Sequence, residues 1–137
     1  MTTYIIDANV VLKWILRENE AGVIESQTIY RLMMEDKIKL ATPASLMSEV
    51  INVMFWKKLF RPSDILKFVA RIENSKLTFV SLSDFTWKEL LGTMNKHKVA
   101  VYDAYYLCLA GRLDCKLVTW DQELLKIKSL AIAADEI

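Results

Sequence analysis

Short apolar runs rich in β-branched and aromatic residues recur along this chain, each followed by one or two segments with helical spacing. This alternation constrains the fold most. The strand candidates are Tyr4-Ile5-Ile6, Lys39-Leu40-Ala41-Thr42, Leu77-Thr78-Phe79-Val80, Lys116-Leu117-Val118-Thr119 and Ala131-Ile132-Ala133. Between them the apolar positions of Val10 to Arg17, Val23 to Glu35, Leu46 to about Leu59, Ile65 to Ile72, Phe85 to about Asn95 and Tyr102 to Arg112 predict helices. Strands alternating with helices imply a parallel sheet covered on both faces, with right-handed crossovers. The expected architecture is α/β: a three-layer α/β/α sandwich around a central, mainly parallel sheet of four to five strands. A chain of 137 residues fits one domain spanning 1–137.

Local punctuation sharpens the expectation. Pro43 suits the first position of a helix with Thr42 as N-cap. Ser83 or Asp84 suits the cap of the helix from Phe85. The helix carrying Leu46, Met47, Val50, Ile51, Met54 and Trp56 is apolar around most of its circumference, which predicts burial on more than one side.

Composition bounds the rest. The apolar fraction of 53% exceeds the usual range of about 45–50%, and the surplus predicts an oligomer or an obligate partner. A net charge of +1 neither favours nor excludes nucleic acid. Cys108 and Cys115 make no metal or disulfide framework and read as free thiols of a reducing cytosol. The N-terminus has no signal pattern and no apolar run reaches the roughly 18 residues of a membrane span, so the expectation is a soluble, cytoplasmic protein with no membrane partner.

Four acids break apolar runs: Asp7 after Tyr4-Ile5-Ile6, Glu49 within Leu46 to Ile51, Asp103 between Val99-Ala100-Val101-Tyr102 and Ala104-Tyr105-Tyr106-Leu107, and Asp121 after Leu117-Val118-Thr119-Trp120. Buried carboxylates are rare unless paired or bound to a metal. In the expected fold Asp7 and Asp121 lie just past the carboxyl ends of two strands, where open α/β sheets place ligand sites. Asp103 lies at a helix N-terminus, and Glu49 two turns into its helix, with Asn52 on the same face. Converging carboxylates repel and raise one another's pKa, and a divalent cation relieves that repulsion. An all-oxygen donor set points to one or two hard ions, Mg²⁺ or Mn²⁺, which activate water and stabilise charge on a phosphate.

These stretches, taken together and in order, resemble the PIN-domain nucleases, above all the small VapC-type toxin ribonucleases of prokaryotic toxin–antitoxin pairs. Tyr4-Ile5-Ile6-Asp7-Ala8-Asn9 resembles the first motif of that family. The Glu-x-x-Asn of Glu49 and Asn52 resembles its second. Tyr102-Asp103-Ala104-Tyr105-Tyr106-Leu107-Cys108-Leu109-Ala110 and Leu117-Val118-Thr119-Trp120-Asp121 resemble its third and its closing Thr-x-Asp. The resemblance runs from end to end. It implies a PIN-like fold, a metal-dependent endoribonuclease acting on RNA phosphodiester bonds, a homodimer and a cognate antitoxin. It makes Asp7, Glu49, Asp103 and Asp121 the metal-binding, catalytic acids, with Asn9 and Thr119 as supporting polar groups beside Asn52. Trp120 departs from the family pattern and bears on access to the site.

Plainer readings stand beside these. Asp7, Asp103 and Asp121 each suit a helix cap or first turn, and Glu49 suits an exposed helix face. Lys13, Arg17, Lys57, Lys58 and Arg61 form two small basic groups suited to RNA phosphates, or simply to solvent. Trp14 and Trp120 suit base stacking or packing. His97, between Lys96 and Lys98, reads as a surface loop residue. Two rival functions remain open: a non-catalytic PIN-like module that binds RNA or protein, and an aspartyl-phosphate phosphohydrolase with Asp7 as nucleophile.

Overall fold

The computed structural model describes residues 1–15 and 20–137. Among the described residues the sheet comprises β1 (Thr3–Ile6), β2 (Lys39–Pro43), β3 (Thr78–Val80), β4 (Lys116–Val118) and β5 (Ala131–Ile132), in the order β3-β2-β1-β4-β5. Every neighbouring pair is parallel, with Ile5 opposite Ala41 on one side and Leu117 on the other. The helices are α1 (Ala8–Leu12), α2 (Val23–Met34), α3 (Leu46–Trp56), α4 (Pro62–Glu73), α5 (Trp87–His97), α6 (Val101–Arg112) and α7 (Gln122–Leu125).

The period-2 pleat sorts the strand residues between two cores. Ile6, Leu40 and Val118 face one way, into a cluster with Val10, Val11 and Trp14 and with residues of α2, α3 and α4. Ile5, Ala41 and Leu117 face the other way, against α5, α6 and α7. Ile5, Ile6, Leu117 and Val118 are all fully buried. Strands buried on both faces must be apolar without alternation, as these are. The α/β/α layering and the five-stranded sheet match the expectation.

Several local expectations are corrected. Pro43 closes β2 and does not open a helix; Thr42 is buried and donates its hydroxyl to the Ile6 carbonyl at 3.0 Å. The helix starts at Leu46, so Glu49 lies in its first turn and not two turns in. The strand wins because β2 pairs with β3 as far as Pro43, whose missing N–H leaves no donor to lose. The helix expected from Phe85 likewise starts later, at Trp87, capped by Thr86, whose hydroxyl and Glu89 form a reciprocal capping box. Ser83 and Asp84 fall instead in a single 3-10 turn, Leu82–Asp84. The first helix is short, ending at Leu12, and α3 is not buried all round: Ile51, Phe55 and Trp56 are exposed.

The sheet order places β1 at its centre, with the chain filling one side (β2, β3) and later the other (β4, β5). The crevice beyond the carboxyl ends of β1 and β4 is therefore the topological switch point, where the two crossover sets diverge.

Candidate metal centre

Asp7 stands at that switch point. Its backbone N–H continues the sheet ladder to the Val118 carbonyl at 3.1 Å, and its carboxylate is buried, with 8% of the residue exposed. Oδ1 accepts from the Ala8 N–H at 2.7 Å, and Oδ2 from the Thr119 hydroxyl at 2.8 Å. Asp7 therefore caps α1 and belongs to a tertiary cluster at once.

Thr119 and Asn9 build the frame around it. The Asn9 side-chain N–H₂ donates to Thr119 Oγ1 at 3.1 Å and lies 3.5 Å from Asp7 Oδ2. Asn9 Oδ1 accepts from the Trp120 N–H at 3.1 Å, and Thr119 Oγ1 accepts from the Asp121 N–H at 3.0 Å. The ends of β1 and β4 are thus joined by side chains where the backbone ladder stops.

Glu49 and Asp103 lie on helices packed on opposite faces of the sheet, close enough for their charges to act on Asp7. Burial raises the Asp7 pKa to about 7, with the charges of Glu49 and Asp103 adding to the effect against the Thr119 and Ala8 hydrogen bonds. Glu49 is also pushed up by burial and by Asp103, and a hydrogen bond from Tyr106 opposes this. Asp103 is raised by burial and by the charge of Asp121. Asp103 occupies the first turn of α6, where free N–H groups favour a negative charge. Among the described residues, none of these four acids has an ion pair with a Lys or Arg.

The acids are coupled, yet they are not caged. Among the described residues no group of three or more acids, histidines or cysteines is arranged to hold an ion ready-made. Asp121 uses Oδ1 to cap α7, accepting from the N–H groups of Glu123 at 2.8 Å and Leu124 at 3.2 Å. The donor chemistry fits a hard divalent ion: all oxygen, uncompensated negative charge, and Asp7 oriented by Thr119 and Ala8.

The other expected residues are dispersed. Asn52 is exposed one turn beyond Glu49. Lys57 follows Glu49 by eight residues, roughly 12 Å along the helix axis; it and Lys58 are exposed, and Arg61 pairs with Asp64 at 3.5 Å. Lys13 donates to the Ala21 carbonyl at 2.7 Å, and Arg17 lies outside the described residues. Trp14 is buried, its indole N–H donating to the Ser26 carbonyl at 2.8 Å, and Trp120 donates to Ser26 Oγ at 2.9 Å. The Trp14 indole is therefore buried and closed to stacking, whereas Trp120 is half-buried against α2. His97 ends α5, half-buried.

Sequence reasoning missed Tyr106. It is fully buried, and its hydroxyl donates to Glu49 Oε2. Burial and the neighbouring Glu49 and Asp7 carboxylates push its own pKa far up, so the phenol stays protonated. The available signal was its spacing: three residues after Asp103 on a helix, hence on the same face, with a polar tip in an otherwise apolar stretch. A cleft of about 540 Å³ lies elsewhere, lined by Tyr4, Gly111 and Cys115 among others, and contains none of the four acids.

The PIN domain model matches residues 4–130, and the chain belongs to the PIN domain family. No curated protein matches the sequence. The fold is similar to that of PAE2754 from Pyrobaculum aerophilum, at 20% identity and a TM-score of 0.68 over 98% of this chain and 91% of that one. It is similar to VapBC2 from Rickettsia felis, solved bound to a DNA fragment from its promoter, at 14% identity and a TM-score of 0.69 over 96% and 98% of the two chains. It is also similar to VapC20 from Mycobacterium tuberculosis, described as a Sarcin-Ricin loop cleaving toxin, at 8% identity and a TM-score of 0.66 over 90% and 94%. At these identities the likeness establishes a shared fold. Among the described residues no helix is long and apolar enough to cross a membrane.

Proposed function

We propose that this protein is a metal-dependent endoribonuclease, the toxin of a toxin–antitoxin pair, with residues 1–137 forming one PIN-like domain that works in the cytoplasm. The observation that carries the reading is the cluster Asp7, Glu49 and Asp103, whose charges act on one another at the switch point with no basic partner among the described residues. Membership of the PIN family and the likeness to the VapC20 toxin support it.

In this reading Asp7, Glu49, Asp103 and Asp121 hold one or two Mg²⁺ or Mn²⁺ ions. A bound divalent ion activates a water and stabilises charge on phosphate oxygens. Asp7 is held by Thr119 and Ala8 so that its carboxylate need not reorient on loading. Asn9 braces Thr119, and Asp103 gains from the α6 N-terminus. Asp121 caps α7 through Oδ1, and among the described residues its Oδ2 accepts no hydrogen bond. Lys13, Arg17, Lys57, Lys58 and Arg61 are the proposed contacts to RNA phosphates. Exposed Phe55 and Trp56 on α3, and Trp87 and Leu91 on α5, provide apolar area for a second copy and for an antitoxin.

Asp7→Asn and Asp103→Asn should each abolish Mg²⁺-dependent cleavage of RNA while circular dichroism shows the fold retained. Full activity in either variant would sink the assignment. The non-catalytic alternative draws on the lack of a ready-made cage among the described residues. Failure to bind Mn²⁺ at millimolar concentration would favour it. The phosphohydrolase reading gains nothing, since no lysine is paired with Asp7 among the described residues.

A further inference from the structure

We propose that Tyr106 is a positioning residue: its hydroxyl holds the Glu49 carboxylate by Oε2 and so fixes the direction of a side chain that would help to hold a divalent ion. This rests on the metal-dependent reading above and concerns how one of its ligands is aimed.

The argument begins with what Glu49 lacks. Asp7 is held by a backbone N–H and by Thr119, and Asp121 by two backbone N–H groups. Among the described residues Glu49 has neither kind of support. It lies in the first turn of α3, on three rotatable bonds, half-buried, and beside two like charges that repel it towards solvent. An unrestrained glutamate there would swing outward.

Tyr106 is suited to prevent that. Its ring is fully buried in the core between the sheet and α6, so the oxygen has little freedom to follow a moving partner. The hydroxyl donates to Oε2 across 57 residues of sequence. The hydroxyl of Thr42, at the end of β2, is anchored on the Ile6 carbonyl at 3.0 Å, next to Asp7. Asp103 is one turn before Tyr106 on α6, so the same helix supplies a ligand and the brace for another. A phenol with no other work at that depth would leave its hydroxyl to be satisfied in an apolar core, where phenylalanine would serve better.

Mn²⁺ titration of the full chain, read from the electron paramagnetic resonance of free Mn²⁺, tests this in the wild type, Tyr106→Phe, Glu49→Gln and the double variant. Removing a group that orients a ligand typically weakens metal affinity about 10–100-fold, and Tyr106→Phe should do so while remaining folded in EDTA by circular dichroism. In the Glu49→Gln background the same change should alter affinity little. A Tyr106→Phe chain that binds Mn²⁺ as tightly as the wild type, or one that loses as much affinity without Glu49 as with it, overturns the proposal. A wild type that takes up no Mn²⁺ at millimolar concentration overturns the metal reading itself, a distinct result. Should Tyr106→Phe not fold, the wild type labelled with ¹³C at tyrosine Cζ decides: the Tyr106 resonance should move as diamagnetic Mg²⁺ binds, and a resonance that stays in place while Mg²⁺ binds overturns the proposal.

Discussion

Asp7 is held by two hydrogen bonds that favour its ionised form and by a burial that disfavours it more strongly, so its carboxyl titrates at about 7. The consequence for stability has a definite sign. In the folded, metal-free protein Asp7 keeps its proton up to about pH 7, whereas in the unfolded chain it releases it near the ordinary 3.8. Across that interval the folded state binds more protons, so the stabilisation is complete below the unfolded value and is lost as pH rises through the folded one. The loss amounts to about 4 kcal/mol at most. Glu49 and Asp103 are shifted in the same direction. Urea unfolding in EDTA should therefore give a lower stability at pH 8 than at pH 5, and Asp7→Asn should flatten the difference. A wild type more stable at pH 8 would contradict the burial of this carboxyl. The sequence marked all four acids because each interrupts an apolar run. For Tyr106 it offered only the three-residue spacing from Asp103, because its hydrogen-bond partner is on another helix.

Helix α2 is fastened to the site through Trp120 and Trp14, whose indole N–H groups converge on Ser26. The fit leaves no room at the start of that helix. Gly22 has φ +80°, and a Cβ there would stand 2.9 Å from the Trp120 ring. Gly22→Ala must strain the backbone or displace the indole, and should destabilise the protein by about 1–3 kcal/mol; thermal unfolding would show it. Displacing Trp120 would also disturb the bond from its backbone N–H to Asn9. The start of α3 illustrates the converse, a boundary that sequence misplaced. Pro43 is as good at a helix start as at the end of a strand, and pairing with β3 decided between them. Glu49 moved towards its helix N-terminus as a result, where a negative charge is better tolerated.

The whole molecule depends on a sheet buried on both faces. Ile5 and Ile6 are adjacent in sequence, fully buried, and packed in opposite cores. Ile5→Ala and Ile6→Ala should each cost about 2–5 kcal/mol in chemical denaturation. The apolar surplus seen in the composition is resolved by position. Part fills these two cores, and part stays outside as Phe55, Trp56, Leu59 and Leu66 near the turn between α3 and α4, and as Trp87, Leu91 and Tyr102 on α5 and α6. Periodicity could not separate the two shares, because α3 is apolar almost all round whether or not something covers its outer face.

The order of strands and helices, the parallel sheet and the four anomalous acids were legible along the chain. They follow from local preferences and from the cost of placing a charge in an apolar run, which need no knowledge of distant neighbours. Which groups touch could not be read in that way. Thr119 meets Asp7 across 112 residues and Tyr106 meets Glu49 across 57. Both contacts exist because the sheet order sets the ends of β1, β2 and β4 side by side, and that order is a product of how the two cores close. The same closure leaves Lys13 bonded to a turn carbonyl and both indoles packed on α2.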